Sequence, residues 1–256
     1  MNRVTRLTIV GAVAGLTLLS WLYLLRLHTQ MEAVSAHDAS MADMGMPMNA
    51  PWSIADGAVA FLMWAVMMAG MMSPSALPVL LVVARSEGGR GGDALRTTTA
   101  FAAGYLAVWT MFSLVAASLQ WMLHDRALLS ASMVVASGFG GVILIGAGLY
   151  QQTPHKRACL VHCRNPIDVL MSHWRPGLAG AFRMGVHHGW YCLGCCWALM
   201  AVLFGVGIMN LVWVGAIAVF VLLEKMGVGG VWLTRLAGGF LIAIGALWLI
   251  RLSGLG

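Results

Sequence analysis

One stretch of the chain concentrates histidine and cysteine, and it reads His187-His188-Gly189-Trp190-Tyr191-Cys192-Leu193-Gly194-Cys195-Cys196. In a helix, His188, Cys192 and Cys195 share one face, and Cys196 lies one turn beyond Cys192. Sulfur and imidazole ligands suit copper as Cu(I), with zinc as the alternative. Burying an unpaired thiolate costs free energy, and a cation bound beside it would balance its charge. The stretch therefore predicts metal ligands at His188, Cys192, Cys195 and Cys196, and inert buried cysteines are the competing interpretation.

A second stretch, 63–72, is rich in methionine, with Met63, Met67, Met68, Met71 and Met72 among its residues. At helical spacing these side chains form two adjacent rows. Thioether sulfur is a ligand that Cu(I) accepts, although methionine is also an adaptable core residue. We predict exchangeable thioether ligands at Met67, Met68 and Met71, with core packing as the alternative.

A basic segment, 151–176, contains Cys159, His162 and Cys163. A helix would bring these three side chains to one side, as a soft-metal site facing the cytoplasm, where thiols stay reduced. The alternative is an amphipathic helix that lies at the membrane interface.

Near the N-terminus, the segment 28–52 combines histidine with closely spaced methionines. A flexible chain of this kind can wrap a soft cation. We predict a weak capture site formed by His37, Met41, Met44, Met46 and Met48, and a low-complexity loop is the alternative.

The composition of the chain predicts which kind of secondary structure positions these residues. The chain has 256 residues, 60% hydrophobic and only 9% charged, against about 25% charged residues in soluble domains. Seven apolar runs are present, at about 4–25, 53–72 with an extension to 84, 98–122, 127–150, 177–204, 207–223 and 230–250. We therefore predict an all-α, polytopic integral membrane helical bundle with about seven transmembrane helices, six at least.

The net charge of +6 comes from basic residues that lie mainly between alternate apolar runs. This distribution follows the positive-inside rule, so it places the N-terminus in the cytoplasm and 28–52 on the outer side of a bacterial-type inner (plasma) membrane. The expected surroundings are the lipid bilayer, and nucleic acid is not an expected partner. Glu224-Lys225 and Arg183 lie near the inner face, where we expect structural pairing more than function.

Three segments are expected: an uncleaved anchor helix over 1–27, the outer segment 28–52 and a helical membrane domain over 53–256. A cleaved signal peptide is the alternative for the first, since Val34-Ser35-Ala36 has the composition of a cleavage site. Pro74 and Pro78 should kink or break the second helix.

Four motifs together resemble the DUF2182 family of predicted metal-binding integral membrane proteins, often labelled copper chaperones. They are Trp64-x-x-Met67-Met68-Ala69-Gly70-Met71-Met72, Cys159-x-x-His162-Cys163, His188-Gly189-x-x-Cys192-x-Gly194-Cys195-Cys196-Trp197 and Glu224-Lys225. The resemblance covers about 53–250 and implies metal binding, without a defined reaction.

These observations favour a protein that handles copper by ligand exchange, for transport or for delivery to a copper enzyme. The sequence contains no nucleotide-binding motif, and we expect a role other than catalysis. Two alternatives stay open at this point. In the first, the chain is a subunit of a membrane oxidoreductase or oxygenase complex, with a structural or a metal-holding role. In the second, it is a scaffold for other membrane subunits.

Overall fold

The computed structural model describes residues 1–43, 52–86, 91–126, 128, 137–165 and 176–253. All regular structure in these residues is α-helical, as predicted. The helices are α1 (Arg3–Asp43), α2 (Ile54–Ser86), α3 (Gly91–Asp125), α4 (Ser137–Gln152), α5 (Pro154–Arg164), α6 (Gly177–Val206), α7 (Leu211–Lys225) and α8 (Gly230–Leu252).

Five helices are long and apolar enough to cross a membrane: α2, α6, α8, and the segments Arg3–Met31 of α1 and Asp93–Asp125 of α3. The described parts of α4 and α7 have 16 and 15 residues, fewer than the ~20 that a span requires. The chain therefore has the helices of a multi-pass membrane protein, and the count of seven spans stays a prediction.

The first helix is longer than its apolar run, since α1 continues to Asp43. The backbone at His37 and Met41 is therefore helical, although their side chains are not described. Met44, Met46 and Met48 lie outside the described residues. The predicted capture site thus stays a prediction.

The two prolines do not end the second helix, because α2 includes both Pro74 and Pro78. Hydroxyl groups provide extra hydrogen bonds here: Ser73 Oγ donates to the Ala69 carbonyl at 2.6 Å and Ser75 Oγ to the Met72 carbonyl at 2.8 Å. These bonds go to carbonyls other than those of Gly70 and Pro74, which the two prolines leave without an N–H partner; a membrane helix packed against its neighbours tolerates such losses. The predicted break is therefore wrong.

Close contact between α3 and α6 depends on glycine. A Cβ atom on Gly185 would collide with the carbonyl oxygen of Phe101, and one on Gly104 with the carbonyl oxygen of Phe182. Small residues of this kind let two helix backbones approach closely in lipid. The approach brings Tyr105 of α3 against the cysteine-rich part of α6.

Candidate metal centre

The predicted ligands of the fifth apolar run are buried on α6, and the five cysteines of the chain are free thiols. Cys195 and Cys196 donate hydrogen bonds to the Cys192 carbonyl, at 3.1 and 2.8 Å. The two thiols therefore turn back along their own helix, as side chains with a donor often do three or four residues after a carbonyl. Cys192 is left to face the neighbouring helices.

The sulfur of Cys192 accepts a hydrogen bond from Lys225, the last residue of α7. The distance from Nζ to Sγ is 2.8 Å, and the same Nζ donates to Ser75 Oγ at 3.0 Å. An ammonium group at this distance stabilises the thiolate form of a cysteine. The contact therefore favours an anionic sulfur at Cys192, next to a cation. The sequence predicts a structural charge pair for Lys225, and no local spacing indicates its contact with Cys192, 33 residues away.

Two further helices complete the surroundings of Cys192. The Tyr105 hydroxyl of α3 lies 3.0 Å from Cys192 Sγ and donates to the Met72 carbonyl of α2 at 3.2 Å. The Met72 sulfur lies 3.8 Å from Lys225 Nζ. A thiol, a thioether, a phenol and an ammonium group thus meet where α2, α3, α6 and α7 come together.

The methionines of α2 are all buried, at Met63, Met67, Met68, Met71 and Met72. Met72 is the one whose sulfur has a described polar contact at the centre. Met67, Met68 and Met71 belong to the surrounding hydrophobic core, so their role as ligands stays a prediction.

His188 is buried one turn before Cys192. Its ring centroid lies 5.8 Å from that of Tyr105 and 5.9 Å from that of Phe101. Its Nδ1 atom has no hydrogen-bond partner among the residues that the structure describes. Buried polar atoms are normally paired, so this nitrogen is a donor atom left available near the sulfur cluster.

The segment around Cys159 is helical, as α5, but its three predicted ligands separate. Cys163 Sγ lies 3.8 Å from Cys195 Sγ and so joins the centre. Cys159 lies 3.9 Å from His155 Nε2. The exposed His162 stacks on Tyr191, with centroids 4.5 Å apart. Cys159 and Cys163 share the buried face at i, i+4, whereas His162 lies to one side of it.

Both α5 thiols favour the protonated form. Hydrogen bonds with Cys192 and Cys195, together with burial, hold the pKa of Cys163 well above its usual range. Burial, followed by the charge of Cys195, raises the pKa of Cys159. Anionic sulfur at the centre is therefore best assigned to α6, next to Lys225.

A buried ion pair fixes α5 to the end of α7. Lys156 Nζ donates to both Glu224 carboxylate oxygens at 2.8 Å and also to the Gln151 side-chain carbonyl. Arg164 Nε donates to the Glu224 carbonyl at 2.7 Å. Because Glu224 is engaged by α5, its neighbour Lys225 is held towards Cys192.

Within the described ranges, no three His, Cys, Asp or Glu side chains are placed to hold one metal ion. Zinc sites use four such ligands in a tetrahedron, so the zinc alternative has no support. A soft cation such as Cu(I) also accepts thioether sulfur, which is present here at Met72.

Long apolar helices and a buried cluster of thiol and thioether side chains define a class, that of multi-pass membrane proteins with a sulfur-rich core. Residues 61–248 match the family model described as PpoB2, copper chaperone. The chain therefore belongs to this copper chaperone family, which supports a copper-related role. No curated protein and no solved structure matches the chain.

Proposed function

We propose that the protein binds Cu(I) at Cys192 and passes it on by ligand exchange, for transport across the membrane or for delivery to a copper enzyme. The observation that carries this proposal is the ammonium group of Lys225, 2.8 Å from the buried sulfur of Cys192. A sulfur that already has a cation beside it at this depth can exchange that cation for another of the same charge.

The position of Lys225 Nζ indicates where Cu(I) would bind. Cys192 Sγ lies 2.8 Å from it and Met72 Sδ lies 3.8 Å from it. A cation that replaced the ammonium group would therefore have one thiolate and one thioether as neighbours, a pair of ligands that favours Cu(I). No net charge is added to the apolar core when Lys225 releases one proton as Cu(I) binds, because the tethered side chain then stays behind as a neutral amine.

The remaining predicted ligands provide steps for exchange. Cys195, Cys196 and His188 lie on the same helix as Cys192, and Cys163 lies beside Cys195. Met67, Met68 and Met71 line the neighbouring part of α2. In this proposal they accept the ion in turn, and no nucleotide is consumed.

The membrane topology in this proposal is the one that the sequence predicts. We infer seven spans in a bacterial-type inner membrane, with the N-terminus and α5 inside and the 28–52 segment outside as a weak capture site. The motifs that resemble the DUF2182 family support this assignment, and they include the Cys192 stretch itself.

The test is Cu(I) binding by the purified full-length protein, measured without oxygen against a competing chelator. Cys192→Ser/Lys225→Leu removes the thiolate and its cation together, so it leaves no unpaired charge and adds no new sulfur ligand beside Met72. We expect this variant to lose about one Cu(I) per chain. An unchanged copper content, by elemental analysis, would contradict the proposal.

The thioether is tested separately. Met72→Leu should weaken Cu(I) binding about tenfold, the effect of ~1.4 kcal/mol. Met200→Leu is the matched control, because Met200 is fully buried on α6 and has no place in the proposed centre. Equal effects of the two substitutions would assign Met72 to packing alone.

Cells lacking the protein distinguish transport from delivery. A fall in total cell copper indicates transport, and normal copper with loss of a copper enzyme's activity indicates delivery. If neither changes, copper handling is not the function.

A further inference from the structure

We propose a second Cu(I) site on α5, formed by His155 and Cys159, from which the ion moves to or from the centre. This inference rests on the proposed function and extends it. His155 is not part of the predicted Cys159, His162 and Cys163 trio, and its place here follows from the geometry alone.

The two donor atoms have the separation that one small cation requires. Cys159 Sγ lies 3.9 Å from His155 Nε2. We take bonds of about 2.0 Å to nitrogen and about 2.3 Å to sulfur, the values known for zinc. The nitrogen–ion–sulfur angle at a shared ion would then be roughly 130°. The ion can therefore bind between the two side chains without a change in the backbone.

The pair lies at the edge of an open cavity between α3, α5 and α6. The cavity has a volume of about 780 Å³, and its lining includes His155, Cys159, Met111 and His187. His155 is exposed and Cys159 is buried. A cation could therefore reach the imidazole first and the thiol second, with a thioether and a second imidazole in the same cavity.

A continuous row of ligands leads from this cavity to the centre. His155, Cys159 and Cys163 occupy i, i+4 and i+8 on α5 and so follow one face of the helix. Cys163 Sγ lies 3.8 Å from Cys195 Sγ. A Cβ atom built on Gly194 would lie 2.9 Å from Cys159 Sγ, which shows how closely Cys159 approaches the α6 backbone beside Cys195.

Transfer along this row needs no redox step. Cu(I) binds to Cys159 as the Cys159 thiol releases its proton to the medium, and when the ion moves on, the proton released by the Cys163 thiol is taken up by Cys159. Copper stays in the same oxidation state throughout. The row therefore serves movement in either direction.

The experiment uses the full-length protein carrying Cys192→Ser/Lys225→Leu, loaded with Cu(I) without oxygen. We expect this protein to keep about one Cu(I) per chain, with one nitrogen and one sulfur ligand in its X-ray absorption spectrum. Adding His155→Ala, at an exposed side chain, should remove that copper and the nitrogen contribution. His124→Ala, on α3, is the control and should keep both.

The outcomes separate the two proposals. Retention of copper and nitrogen scattering after His155→Ala would overturn the α5 site, as would their loss with His162→Ala in its place. Loss of Cu(I) in Cys192→Ser/Lys225→Leu relative to the native protein tests the centre independently. If that double substitution loses nothing while His155→Ala does, the α5 site stands and the central proposal fails.

Discussion

Lys225 and Glu224 are adjacent in sequence but serve different contacts. Glu224 binds Lys156 of α5, whereas Lys225 binds Cys192 of α6. Consecutive helical residues point about 100° apart, so one helix end can reach two neighbours. The arrangement leaves two cations near the end of α7: the buried Lys156, paired with Glu224, and the half-buried Lys225, beside Cys192.

A double-mutant cycle measures the pair between Cys192 and Lys225. Cys192→Ser alone leaves the half-buried ammonium group of Lys225 without its anion, and leaving a group unpaired in this way costs about 1–3 kcal/mol. Adding Lys225→Leu removes the unpaired charge, so we expect most of the lost stability to return. The measurement is unfolding in detergent for the two single variants and the double variant, and additive losses would contradict the ion pair.

The crossing of helices α3 and α6 determines which side chains surround Cys192. Gly104 and Gly185 allow the two backbones to meet, and Tyr105, next to Gly104 in sequence, lies 3.0 Å from Cys192 Sγ. The short helix α5 then packs beside α6 through Cys163 and is fixed by Lys156. Helix packing thus determines which side chains surround the thiolate.

Gly185→Ala tests this crossing. Its methyl group would collide with the Phe101 carbonyl, and overpacking of this kind costs about 1–3 kcal/mol. We expect lower thermal stability and weaker Cu(I) binding, because Tyr105 moves away from Cys192. Gly146→Ala is the matched control, since a Cβ atom there meets nothing within 4 Å and alanine favours a helix. Equal losses in both variants would contradict a specific role for the crossing.

The distribution of basic side chains predicts how the whole molecule is oriented in the membrane. The basic side chains of α5 and those near the end of α7 gather on one side of the predicted spans, and the positive-inside rule assigns this side to the cytoplasm. The His155–Cys159 pair would then face the cytoplasm.

Reporter fusions test this orientation. Alkaline phosphatase requires disulfides and is active only outside the cytoplasm. We expect activity when it is joined after Asp43 and none when it is joined after Asn165. The reverse result would place α5 on the outer side and contradict the predicted topology.

Sequence reasoning reached the helical membrane class and the cysteine-bearing helix. Long apolar runs must form helices in lipid, because their backbone groups have no water to bind. Helical spacing also placed His188, Cys192, Cys195 and Cys196 on one element, since that relation is local. The sequence does not predict that α2 continues through Pro74 and Pro78, because that continuity depends on packing against neighbouring helices.

The centre itself was decided only by tertiary structure. Tyr105 and Cys192 are 87 residues apart, and Met72 and Lys225 are 153 apart, so no local spacing links them. The separation of His162 from Cys159 and Cys163 likewise depends on the face that α5 presents to α6. The sequence by itself determined a membrane protein with soft ligands on its helices. Packing of those helices determined which sulfur has a cation beside it, because contacts between distant residues depend on how whole helix faces fit together.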